Sequence, residues 1–107
     1  MPMINVEYDS NLVPEPDIQS LSEAIRDIVS NVTGIEDVFT YANSARIKIK
    51  IAPIEIFVRM TDKKIKDEDA LVNDIKLKLK EWKVASNFQY PINLTLIPMN
   101  WKVEIGI

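Results

Sequence analysis

Two residue types that carry most enzyme chemistry are missing from this chain. It has no histidine and no cysteine. Ser-His-Asp and Cys-His triads therefore cannot be built, nor can the usual Cys/His zinc sites. The lack of cysteine also excludes a disulfide framework and thiol chemistry. Only two glycines occur, Gly34 and Gly106, so neither common phosphate-cradling loop can form. No metal and no cofactor are expected. Few remaining groups could exchange a proton near pH 7. The side chains of interest are cations on alternating apolar stretches, Arg46, Lys48, Lys50 and Arg59, and the amide Asn93.

The elements that would position them can be read from periodicity. Met3 to Tyr8 alternates, with Ile4, Val6 and Tyr8 on one side and Met3, Asn5 and Glu7 on the other, as in a half-buried strand. Ile18, Leu21, Ile25, Ile28, Val29 and Val32 share one stripe of a helix. Pro14 and Pro16 suit only its first turn, and Gly34 stands where a left-handed C-terminal cap belongs. Val38 to Ala42 reads as a second strand, Arg46 to Ile51 as a third, and Ile54 to Met60 as a longer one that Pro53 must start or border. Leu71, Ile75, Leu79 and Trp82 share a face of a second helix, Asp67 to Trp82. Its acids come first and its lysines last, as the helix dipole favours; Leu77 falls opposite the stripe. Pro91 to Met99 and Trp101 to Ile107 read as further strands.

Each half runs strand, helix, shorter strand. Two β-α-β units with right-handed crossovers predict an α+β protein, with a four-stranded mixed sheet and both helices on one face. Met3, Phe57 and Ile97 would lie on the other face, which must then be partly covered. At 107 residues, with 47% apolar and 27% charged residues, the chain fits one domain, residues 1–107. A domain of this size leaves about a third of its unfolded-chain surface exposed, so help from oligomerisation is expected. The net charge of −3 argues against nucleic acid as partner. No apolar run is long enough to span a bilayer. The N-terminus lacks the features of a signal peptide, which makes the cytoplasm the default location and the glycosylation matches at Asn31 and Asn93 chance.

The opening Met1-Pro2-Met3-Ile4-Asn5-Val6-Glu7-Tyr8, followed by Asp9-Ser10-Asn11-Leu12, resembles the 5-carboxymethyl-2-hydroxymuconate isomerases. These belong to the tautomerase superfamily, which includes macrophage migration inhibitory factor. The resemblance continues at Thr33-Gly34-Ile35, Ser44-Ala45-Arg46-Ile47 and Phe57-Val58-Arg59-Met60-Thr61. Ile97-Pro98-Met99 also resembles an uncharacterised bacterial branch with the same fold. The resemblance implies that Met1 is removed, that the secondary amine of Pro2 moves a proton between carbon and oxygen of an enol, and that arginines hold substrate carboxylates. It implies a homotrimer with strand ends crossing subunit borders, and a small enol or 2-oxo acid as substrate. An ordinary terminal amine has a pKa of about 8. A secondary amine lies higher, and an apolar pocket with nearby cations would bring it down.

Arg46, Arg59 and Asn93 are then the candidate substrate-binding residues. Each also has a plainer reading. Pro2 is also a usual strand-start residue, Arg46 a solvated strand charge, Arg59 an interface residue. Lys48 and Lys50 read as a solvated or edge-protecting face. The sequence departs from the isomerases at Ser44, where they carry a first arginine, and in a shorter hairpin before the central strand. A retained Met1 would block the chemistry. Two alternatives stand beside the enzyme: a tautomerase-like protein without activity, and a ferredoxin-like module binding a small ligand. An RNA-binding version of the latter needs stacking aromatics, and only Phe57 and Tyr41 are placed for that.

Overall fold

The computed structural model describes all residues from Met1 to Ile107. Its order is β1 (Met3–Tyr8), α1 (Glu15–Thr33), β2 (Phe39–Asn43), β3 (Ile54–Thr61), a short 3-10 turn, α2 (Glu68–Ser86) and β4 (Asn93–Met99). The sheet order is β2-β1-β3-β4. Within each half the two strands pair parallel, β1 with β2 and β3 with β4, and the halves meet at the antiparallel β1–β3 pair. This is the predicted α+β, two-helix, four-stranded mixed sheet. It corrects the ferredoxin-like alternative. That arrangement is a split βαβ, with another strand between the two that a helix joins. Here those two strands are direct neighbours.

Alternation sets the faces. Ile4, Val6, Ile54, Ile56, Val58 and Met60 are buried beneath the helices. α1 lays Ile18, Leu21, Ile25 and Val29 onto them. Each such side chain contributes about 1.5–3 kcal/mol by leaving water. Pro14, at φ −66°, opens α1, and Gly34, at φ 72°, closes it with its N–H donating to the Ser30 carbonyl. A left-handed residue there is cheapest as glycine. α2 buries less, only Ile75 and Leu79. The Asp67 side chain caps it by accepting from the Ala70 N–H. It runs on to Ser86, past the expected end at Trp82, until Asn87 takes φ 55° and stops it. Leu77 is exposed, as its place on the helix wheel predicts. Trp82 meets Phe88 at a tilt and Phe88 meets Tyr90 edge-on, with centroids 5.1 and 5.2 Å apart, just before β4.

Two expected strands do not form. Arg46 to Ile51 pairs with nothing in the sheet, although its alternation is unbroken. β2 ends and β3 begins at the same end of β1, so residues 44–53 cross that end instead of joining the ladder. The segment is tied to the turn after β1. Ser44 Oγ accepts from the Ser10 N–H, Lys48 Nζ donates to Ser10 Oγ at 2.8 Å, and the Asp9 N–H donates to the Pro53 carbonyl. Trp101 to Ile107 is also without regular structure. Its indole Nε1 donates to Thr61 Oγ1 at 2.9 Å, after which Val103, Ile105 and Ile107 are exposed. No helix is long and apolar enough to cross a membrane.

Candidate functional site

The helix-free face of the sheet is assembled from the alternate residues of all four strands. The pairing register places Phe39 and Tyr41 beside Met3 and Asn5, Phe57 and Arg59 next, and Thr95 and Ile97 on β4. Phe39 and Tyr41 are exposed. One end of this face is partly roofed by Ala45, Ile51 and Ala52 of the crossing segment, which line a shallow pocket with Glu7, Glu55 and Phe57.

Pro2 stands at the opposite end, immediately before β1. Its side chain is fully buried. Its carbonyl accepts from the Phe39 N–H at 3.1 Å, which extends the β1–β2 ladder by one step and fixes the residue against β2. Met1 precedes it half-buried.

Arg59 is the sequence-predicted cation nearest to it. Its backbone is level with Met3 on one side and Ile97 on the other. Its guanidinium lies over the Phe57 ring, 5.8 Å from the centroid. A cation there is attracted by the negative face of the ring.

Arg46 and Asn93 lie elsewhere. Arg46 is exposed on the crossing segment, two residues from the Lys48 that reaches Asp9 at 3.7 Å. Asn93 opens β4 beside Glu55, to which its Nδ2 donates at 2.9 Å. β1 has six residues, so its ends are about 20 Å apart. Within one chain the Arg59 backbone is therefore at the Pro2 end of β1, with its guanidinium turned toward Phe57, and Arg46 and Asn93 are at the far end.

The central polar residue was not singled out by the sequence reading. Asn5 is buried between Tyr41 and Phe57 in the middle of the open face. Its Nδ2 donates to Glu7 Oε1 at 2.9 Å and its Oδ1 has no protein partner. Glu7 in turn stands directly across from Glu55. The available signal was an amide in the middle of an otherwise apolar strand.

No protein-family model and no curated protein matches the sequence. Solved structures do match the fold. A 5-carboxymethyl-2-hydroxymuconate delta-isomerase superposes with a TM-score of 0.66 at 15% identity, over 99% of this chain and 89% of that one. A fused 4-OT wild-type asymmetric trimer gives 0.63 at 14% identity, over 91% and 85%. A domain of unknown function (DUF1904) from Sebaldella termitidis gives 0.62 at 14% identity, over 100% and 98%. The chain thus has the fold of the tautomerase superfamily, to which the opening residues pointed.

Proposed function

We propose that this protein is a keto-enol tautomerase whose chain begins, once Met1 is removed, at Pro2, and that its substrate is a small enol or 2-oxo acid bearing a carboxylate. The observation that carries this reading is the anchoring of Pro2. It is buried and hydrogen-bonded to β2, so its amine would be held at a fixed point beside an apolar wall and not on a loose arm. The secondary amine takes the proton from the enol oxygen and returns one to carbon, so the reaction is a net isomerisation with nothing left over. Without histidine or cysteine, this amine is the economical choice of base. Arg59 is the proposed carboxylate partner from the same chain. Arg46 and Asn93 can serve the site only from another copy, which accords with the homotrimer we propose. The asymmetric trimer among the fold relatives supports that assembly.

A second reading has its own support. Ser44 stands where the isomerases carry an arginine, and one fold relative has no known function. On that reading the protein binds a small carboxylate and turns nothing over. Processed protein, Pro2→Ala and a form retaining Met1 should be compared across a panel of simple enols and 2-oxo acids. The enzyme reading expects ketonisation by the first alone. No turnover by the processed protein favours the binder. Equal rates for all three remove Pro2 from the mechanism.

A further inference from the structure

A second cleft lies between α2 and the edge strand β4, away from Pro2. Its volume is about 380 Å³, inside the range of roughly 300–1,000 Å³ that small-molecule sites occupy. Leu79, Ile92 and Leu94 form its apolar floor, and Lys76, Lys80 and Lys83 form its rim. Spacings of four and three residues bring the three lysines onto one face of the helix.

Core packing does not account for these lysines, and the helix dipole invoked for them above reaches only Lys83. α2 meets the core through Ile75 and Leu79. The helix dipole favours cations only in the last turn, which contains Lys83 but not Lys76 or Lys80. Lys83 is fixed in place, its Nζ donating to the Tyr90 carbonyl at 2.7 Å. Lys76 and Lys80 are exposed and have no carboxylate partner, whereas Lys78, off this face, is 3.9 Å from Glu81. A patch of three lysines also runs against the molecule's own net charge of −3.

We propose that this cleft binds an amphipathic carboxylate, with its apolar body on Leu79, Ile92 and Leu94 and its head group between Lys76 and Lys80. The apolar floor and the cationic rim select for a ligand with both characters. The cleft lies apart from Pro2 and Arg59 of the same chain and shares only Asn93 with the residues proposed for the Pro2 site. Leu94 is level with Ile56 on β3, whereas Arg59 is level with Ile97.

The test is a titration of the full chain with decanoate, read by backbone amide NMR. Shifts should cluster on α2 around Lys76–Lys83 and on Ile92–Leu94. The exposed double variant Lys76→Gln/Lys80→Gln should bind about fivefold more weakly, as loss of two exposed ion pairs implies. Lys78→Gln should bind as the parent does, and neutral decanol should bind more weakly than decanoate. Shifts confined to the open sheet face, no shifts at all, or undiminished binding by the double variant would each overturn the proposal. So would a fall in assembly mass in the double variant, measured by light scattering, since the occupant would then be a second copy of the chain.

Discussion

Residues 46–51 and 54–60 carry nearly the same pattern and meet opposite fates. Ile54, Ile56 and Val58 are wholly buried in β3, while Ile47 is 84% and Ile49 96% exposed. Both stretches place a branched or long apolar residue at every second position, and only 54–60 carries an aromatic, Phe57, between them. The difference lies in their neighbours. β3 has β1 on one side and β4 on the other, so its amides find partners and its apolar side meets two helices. The crossing segment passes the end of a ladder whose inner positions are already filled. Alternation states what a segment can pair with; a free ladder position and a covering layer decide whether it does.

The sharpest way to test that contrast is to truncate one isoleucine from each stretch. Ile56→Ala should cost about 2–5 kcal/mol, the price of a core cavity. Ile49→Ala should change the isolated chain by no more than about 0.5 kcal/mol. Denaturant unfolding at several protein concentrations measures both. Equal losses that grow with concentration would show Ile49 buried in an assembly, and the contrast would then belong to the monomer alone.

A smaller effect is expected where the C-terminal segment is attached. Trp101→Phe keeps an aromatic ring, though a smaller one, and removes the hydrogen bond to Thr61 Oγ1, whose share of the loss is about 0.5–1.5 kcal/mol. A double-mutant cycle with Thr61→Val checks it: if the two losses add in full, the bond contributes nothing.

A smaller effect again is expected from Lys48→Met, which frees the crossing segment from Ser10 and Asp9. Exposed or partly exposed pairs of this kind contribute about 0.2–1 kcal/mol. The loss should shrink as salt is raised. A salt-independent loss would point to packing of the lysine stem instead of its charge.

Much of the fold was legible because local chemistry settles it. Met3–Tyr8 emerged with the expected bounds. The stripe from Ile18 to Val29 and the cap at Gly34 fixed α1. Strand order was not legible, since β-α-β-β-α-β is compatible with both neighbouring and split pairings, and only long-range packing separates them. Residues 46–51 and 101–107 alternate like strands and yet form none, for one reason. Their periodicity describes capacity, and their partners are absent from the chain's own sheet. The apolar stripe of α2 stops at Trp82, whereas the helix itself stops only at the left-handed Asn87, which the stripe does not mark. At the site, the burial of Pro2 followed from the strand behind it. The separation of Arg46 from Pro2 depends on how residues 44–53 cross the end of β1, which no local pattern records.

Every backbone pairing of β1 with β2, and of β3 with β4, closes inside a single half. The halves are held by the β1–β3 ladder and by packing of the two helices. Covalent continuity through residues 44–53 therefore supplies proximity more than structure. It acts as a tether that keeps two self-paired modules at high effective concentration, and its length can change by several residues before that concentration falls enough to matter.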